Sequence, residues 1–395
     1  MTVDNEAAAL QDTMVSLRRE LHADPEVGLS LPRTQRRVLD ALAGLPLEIS
    51  TGTTSTSVVG VLRGEPGGRA ILLRGDMDAL PVVERTGLPY AATGETMHAC
   101  GHDLHTAMLV GAAHLLAGRD GRLPGDVVFM FQPGEEGYDG ASHMVADGVL
   151  DAAGKRVDSA FAMHVVSSEV PAGYFTGRPG TAMSAADTLR VTVRGAGGHG
   201  SSPYRAKDPI PAACEMVTAL QTFVTRRFNI FDPVVITVGS FHAGTTDNVI
   251  PDNATFDATM RSFSREAHDR ITAEVAALCQ GIAAAHGLEV DAVVEPGYPV
   301  TVNSPEQLSV VQSTIGSALG DDHWIDMPFP TSGSEDFCRV LDEVPGVMVF
   351  LGATPSGIDL DTAPYNHSPE AMFDDSVLAT GAAIHRDVAL AMLGG

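Results

Sequence analysis

Apolar residues recur at helical spacing over residues 5–22 and 33–43, and a Pro/Gly-punctuated turn, ADPEVGLSLP, separates the two runs. Two short apolar runs follow, TSVVGVLRG (56–64) and RAILLRGDMDAL (69–80), and both read as strands. HTAMLVGAAHLLAGR (105–119) returns to helical spacing through Met108, Leu109, Ala112, Leu115 and Leu116. The strand GDVVFMFQPGEEG (125–137), the helix GASHMVADGVL (140–150) and the strand SAFAMHVV (159–166) complete a first stretch in which strand and helix alternate. Such alternation predicts an α/β fold, a mostly parallel sheet flanked by helices.

Near residue 185 the pattern changes to strict two-residue alternation, as in ADTLRVTVRG (186–195). A helix over 208–228, strands over 232–244 and 253–263, a long Ala-rich helix over 264–286 and a strand over 288–296 follow. This strand–helix–strand–strand–helix–strand order predicts an α+β domain inserted into the first one. The expected division is a discontinuous catalytic domain, 1–185 with 297–395, and an inserted lid or dimerisation domain, 186–296. Hinges are expected near 183–187 and 295–299. After the insertion, VPGVMVFLG (344–352) reads as a buried strand and 374–392 as a terminal helix.

Length agrees with two cores, since 395 residues exceed what one core ordinarily supports. Fifty acidic residues against 25 Lys plus Arg give a net charge of -25, which would repel nucleic acid and anionic membranes and excludes both as partners. The N-terminal segment lacks the basic-then-apolar order of a secretory leader, and no window approaches bilayer-spanning length. Four cysteines, Cys100, Cys214, Cys279 and Cys338, lie far apart, which fits a reducing, cytoplasmic setting. Cys214 and Cys279 read as buried small hydrophobes within helices. His114, His268, His286 and His385 also fall in helical stretches and read as packing residues.

The candidate chemistry gathers at strand ends. Asp76 and Asp78, Glu135 and Glu136, and His164 each fall at or just past the end of an apolar strand, where open α/β sheets collect ligands. MHACGHDLHT (97–106) adds three histidines, a cysteine and an aspartate in ten residues. One reading makes Cys100 a nucleophile activated by an imidazole, which leaves PGEEG without a role. The other makes Cys100 and His102 metal ligands, with one of the adjacent glutamates completing the set and the other serving as base to a metal-activated water.

Taken together, RGDMDALPVVERTGLPY, MHACGHDLHTAMLVGAAHLL, FQPGEEG, FAMHV, GGHGSSP, DNVIPDNA, SGSEDF and NHSP resemble, in that order, the M20 metallopeptidase family. The resemblance is to its amidohydrolase branch of N-acyl-amino-acid, hippurate and indole-acetyl-amino-acid hydrolases. It implies two divalent ions per chain, zinc or manganese with cobalt or nickel as alternatives, bridged by Cys100. His102 and Glu136 would hold one ion, and His164 and His367 the other. Glu135 would be the general base. Asp78, His98, Asp103 and His105 would support the ligands from behind. His199 would stabilise the transition state from its own or a partner subunit, and Asn248 and Arg261 would grip the substrate carboxylate. The roles of Glu335 and His242 are left open.

The resemblance thus implies a metal-dependent amidohydrolase that cleaves the amide of N-acyl-L-amino acids by attack of a metal-bridged water. A small-molecule N-acyl amino acid is the expected partner, with a homodimer through the lid domain. The alternative within the family is a dipeptidase or carboxypeptidase. A non-catalytic binding protein on the same fold is a further alternative, disfavoured because the implied ligands and base are all present.

Overall fold

The computed structural model describes residues 4–394. They divide into two compact units. The first takes in the described chain through Ala182, Val302–Phe329, and the chain from Asp336 onward; the second is Met183–Thr301 with Pro330–Glu335.

The first unit is built on an eight-stranded sheet. Its order is Leu47–Thr51, Val58–Leu62, Asp126–Gln132, Ala70–Asp76, Ser159–Val166, Gly346–Gly352, Phe175–Gly177 and Trp324–Asp326. The four central strands run parallel, from Asp126–Gln132 to Gly346–Gly352, and antiparallel pairing begins on either side of them. The central strands are buried on both faces and therefore read as unbroken apolar runs. Leu47–Thr51 escaped sequence reading because it is a largely exposed edge without alternating burial. Phe175–Gly177 and Trp324–Asp326 are three-residue strands, too short to show a period.

Helix His102–Ala117 is buried along almost its whole length and packs against Asn5–His22 and Leu378–Gly394. Its all-round apolarity is that of a core helix. The terminal segment Asp375–Gly394 corrects one expectation: it is long and apolar enough to cross a membrane, with a mean hydropathy of 1.2. Yet 72% of that window is buried inside the protein, so its apolar surface is used by the core.

The second unit is a four-stranded antiparallel sheet, ordered Val234–Ala243, Asn253–Ser262, Ala185–Arg194 and Glu289–Tyr298. Helices Pro209–Arg227 and Arg265–Ala285 cover one face, and Leu189, Val191, Val193, Met216, Leu220, Phe256 and Ile271 form its core. Cys279 is buried there, whereas Cys214 is exposed, against expectation. It lies off the helix face carried by Ala212, Ala213, Met216 and Leu220. Pro330–Glu335 joins this unit through the Ser184 backbone N–H, which donates to the carbonyls of Thr331 and Gly333.

Two tests follow from the first unit's packing. Gly101, at the N-terminus of helix His102–Ala117, has φ +84°, and a Cβ there would lie 2.3 Å from Val165 Cγ2. Gly101→Ala is expected to destabilise the protein by about 1–3 kcal/mol, measured by urea unfolding, because both backbone conformation and space oppose the methyl group. His385 is buried against the Phe161 ring, and burial, with a further contribution from His105, pushes its pKa down to about 3. The unfolded chain therefore takes up this proton near pH 6.5 while the folded chain does not, and stability is lost as pH falls from there toward 3. Between pH 7.5 and 5.5 the wild type should lose about 1.4 kcal/mol more than His385→Leu, read from urea midpoints at the two pH values. Equal losses would contradict the burial of a neutral imidazole.

Candidate metal centre

Parallel register brings the functional side chains to one edge of the first unit. Asp76 pairs with Gln132, three residues before Glu135, and His164 pairs with Phe350 near the ends of their strands. Glu135 and Glu136 follow directly on Gly134, whose φ of +74° and closeness to Leu29 Cδ2, 2.7 Å from where a Cβ would stand, admit only glycine. Cys100 and His102 flank the Gly101 turn described above. His367 has φ +72°, an uncommon conformation for a residue with a side chain, and its N–H donates to Ala99 O at 2.8 Å.

Cys100 Sγ lies at the centre of these groups. It is 3.4 Å from His164 Nε2 and 3.3 Å from His367 Nε2. His367 Nε2 lies 3.0 Å from Glu136 Oε1, and His102 Nε2 lies 4.0 Å from the same oxygen. The donor atoms fall into two sets that share the sulfur: Cys100 with His102 and His164, and Cys100 with Glu136 and His367, each mutually within 4.8 Å. Of the expected pairings, His102 and Glu136 also share a compact set, while His164 and His367 fall in different sets. Glu135, with His102 and Glu136, forms a further set of the same compactness, and its side chain is buried.

Charge and proton placement suit cations. The His164 Nδ1–H donates to Val165 O at 2.8 Å, which leaves an Nε2 lone pair toward the sulfur. Burial, then His105, holds His164 neutral with a pKa well below the ordinary imidazole value. At His367 the Cys100 sulfur, then Glu136, raise the pKa to about 10. Burial opposes charge on His102, but Asp76 and Cys100 outweigh it and raise its pKa well above the ordinary value. The anionic donors thus draw positive charge into the cluster. Both ring nitrogens of His102, and Glu136 Oε1, are buried and, among the described residues, are held only by ion pairs that fall short of hydrogen-bond geometry, His102 by Asp76 and Asp78 and Glu136 by His367. Buried polar atoms left this way are costly unless something ligates them, and a thiolate, imidazole and carboxylate set fits a divalent metal.

The surrounding residues divide by what they touch. Asp78 accepts the backbone N–H groups of Glu135 and Glu136 at 3.1 and 3.0 Å, and its Oδ1 lies 3.4 Å from His102 Nδ1. His105 bonds Asp76 Oδ1 at 2.5 Å through Nδ1 and accepts the Val165 N–H at Nε2, so it fixes the strand that carries His164. Asp103 points into a buried network, 2.7 Å from Arg18 Nε and 2.8 Å from His22 Nδ1, and anchors the first turn of its helix. His98 is fully buried with neither nitrogen hydrogen-bonded, and burial pushes its pKa down to about 3. Neither Asp103 nor His98 contacts the donor set by hydrogen bond among the described residues.

Sequence reading missed two further groups, Arg74 with Asp336, and Asn366. Arg74 bonds Asp76 Oδ2 at 2.5 Å and Asp336 Oδ1 at 3.2 Å, all buried. Burial opposes ionisation of Asp76, yet Arg74, His102 and His105 hold its carboxyl well below the usual range. Asn366 bonds the Cys100 and Val165 carbonyls. Position beside His367 in NHSP was the available signal for Asn366; Arg74, inside an apolar strand, was a signal for the first group.

The remaining predicted residues belong to the second unit. His199 pairs with Val249, next to Asn248, and the Asn248 carbonyl accepts the Gly200 N–H at 2.8 Å, so these two are brought together. His199 Nδ1 accepts from Ser201 N and Oγ at 3.1 and 2.9 Å, which leaves the proton on Nε2. Arg261 is separate from them. It stands eight residues beyond Asn253 along one strand, about 26 Å at ~3.3 Å per residue, and the His199 bridge lies past the Asn253 end. Its guanidinium bonds Ser334 Oγ at 3.4 Å, and burial lowers its pKa against the opposing pull of Asp187.

Known proteins share this arrangement's scaffold. Thermostable carboxypeptidase 2 of Saccharolobus solfataricus is 34% identical over 98% of this chain and 97% of its own length. Hippurate hydrolase of Campylobacter jejuni is 33% identical over 100% of both chains. The crystal structure of Bacillus subtilis YXEP, described as a dinuclear metal binding peptidase from the M20 family, superposes with a TM-score of 0.82 at 29% identity, covering 98% of this chain and 99% of that one. The sequence pattern of Peptidase family M20/M25/M40 matches residues 72–391. The two-sided donor set around Cys100 therefore stands on the fold of a dinuclear metal-binding hydrolase, and the chain belongs to Peptidase family M20/M25/M40.

Proposed function

We propose that the protein hydrolyses the amide bond of N-acyl-L-amino acids, giving a carboxylate and a free amino acid. The observation that carries this reading is the placement of Glu135: a buried carboxylate beside, but distinct from, a set of donors grouped around one sulfur. Cys100 with His102 and His164 would hold one divalent ion, and Cys100 with Glu136 and His367 the other. The donor types suit zinc, with manganese, cobalt or nickel as alternatives set by availability. When bound, the ion pair supplies Lewis acidity at the acyl carbonyl and lowers the pKa of water toward neutrality.

The chain's own groups move the protons. A Glu135 carboxylate oxygen takes the proton of the attacking water and returns it to the departing nitrogen. Asp78 holds the backbone of Glu135 and Glu136 in place from behind, so neither carboxylate turns away. The His199 Nε2–H donates to the carbonyl oxygen as it gains charge, and Asn248 and Arg261 bind the polar end of the substrate. Arg261 lies toward one end of strand Asn253–Ser262, and the His199–Asn248 pair on a separate two-stranded ladder past the other end, a separation that supports their serving the sites of different copies. The second unit is thus assigned as a lid, with the His199–Asn248 pair supplied by a second copy in a homodimer. A small acyl amino acid, rather than a nucleic acid or membrane, suits the acidic surface, and a cytoplasmic setting suits four free cysteines.

The full-length likeness to hippurate hydrolase supports an acyl-amino-acid substrate. The equal likeness to a carboxypeptidase favours a second reading, cleavage of a C-terminal residue from a peptide. Rates on N-acetyl and N-benzoyl amino acids compared with rates on dipeptides and longer peptides separate the two.

Glu135→Gln is expected to lower kcat on an acyl amino acid by about 10²–10⁴-fold while elemental analysis still finds two ions per chain. Undiminished turnover would remove Glu135 from the mechanism. Mixing inactive Glu135→Gln and His199→Ala chains through dissociation and reassembly should restore about a quarter of wild-type activity, because half the dimers then carry one intact site. No recovery in verified hybrids would place His199 in its own copy's site.

A further inference from the structure

Asn366 has a side chain whose contacts exceed what a loop residue needs. Its Oδ1 accepts from the Ser167 backbone N–H at 2.9 Å and lies 3.0 Å from Ser167 Oγ, whose one proton is shared with Pro364 O at 2.7 Å. A backbone N–H can only donate, so this contact fixes which end of the amide is oxygen. Of the two protons on the NH₂ end, one meets Val165 O at 3.0 Å and the other is shared between Cys100 O at 3.3 Å and Cys100 Sγ at 3.7 Å. Val165 O is also the acceptor for His164 Nδ1–H at 2.8 Å. One amide therefore ties together the Cys100 turn, the strand of His164 and the loop of His367.

We infer that Asn366 is a positioning and tuning residue: it donates an N–H to the Cys100 thiolate and so sets how strongly that sulfur gives electron density to the metals it joins. The inference rests on the reading of Cys100 as the shared metal ligand. A thiolate donates more strongly than a carboxylate, and a sulfur shared by two cations weakens the Lewis acidity of both. An N–H directed at the sulfur withdraws part of its charge and keeps the cations acidic. Outer hydrogen bonds of this kind tune metal sites through the ligand they touch. The same amide also holds Val165 O, the carbonyl that accepts the His164 Nδ1–H, so the sulfur and the acceptor of one imidazole are set together.

The test uses cobalt(II)-loaded enzyme, in which a thiolate ligand gives a sulfur-to-metal charge-transfer band in the near ultraviolet. Asn366→Leu removes the N–H while keeping the branched shape, and Asn366→Asp replaces it with a negative oxygen while keeping an acceptor for Ser167. Both should retain two cobalt ions, and the band should move to longer wavelength in the order wild type, Asn366→Leu, Asn366→Asp, as the sulfur lone pairs rise in energy. In the same order kcat should fall, by about 10-fold or more, the range seen when outer-shell partners of metal sites are removed. Ser167→Ala takes away one support of the amide but leaves the N–H, and its band should stay at the wild-type position. A band that stands still in both Asn366 variants, or moves equally in Ser167→Ala, overturns the tuning role. Absence of any thiolate band in the wild-type cobalt enzyme overturns the underlying reading of Cys100 as a ligand, and this inference with it.

Discussion

A thiol, two glutamates, two aspartates and several imidazoles meet at one edge of a parallel sheet, nearly all of them buried. Burying that much anionic capacity is costly, and the cost must be met by positive charge and directed hydrogen bonds. The first unit divides this task. Arg74 pairs with both Asp76 and Asp336, His105 adds to Asp76, Arg18 and His22 neutralise Asp103, and backbone N–H groups satisfy Asp78. The donors around Cys100 remain, with His102 and one oxygen of Glu136 held by ion pairs but by no hydrogen bond among the described residues. This unfinished balance is what divalent cations would complete.

Local backbone constraints aim the donors. Gly101 turns the chain so that Cys100 and His102 face one side while Asp103 faces the other, into the Arg18 network. Gly134 lets Glu135 and Glu136 leave their strand against Leu29, and Asp78 then receives both of their N–H groups. His367 keeps a positive φ because its N–H is held by Ala99 and its neighbour Asn366 is bonded on every side. Strain of this kind persists where surrounding contacts over-determine the conformation, as they do here.

Much of this was legible in the sequence, and the parts that were not share a cause. The parallel core and the gathering of Asp76, Glu135 and His164 followed from apolar runs ending in polar residues, because register in a parallel sheet brings strand ends together. The division of imidazoles and carboxylates between two donor sets was not legible, since it depends on how four distant segments meet around one sulfur. Cys214 was misread for a simpler reason, a helix phase that turns it outward. Asn366 gave little warning, because an amide acquires a role only when its three acceptors are in place. The exposed edge strand Leu47–Thr51 carried no period to detect.

The account stands on Cys100 Sγ lying between two cations. The most direct test is an anomalous-difference map from crystals of the metal-loaded enzyme, collected at the absorption edge of the bound ion. The account predicts two peaks about 3.5–4 Å apart, both within bonding distance of Cys100 Sγ. His102 and His164 should surround one peak, and Glu136 and His367 the other. A single peak, or a Cys100 sulfur bonded to neither ion, would contradict it.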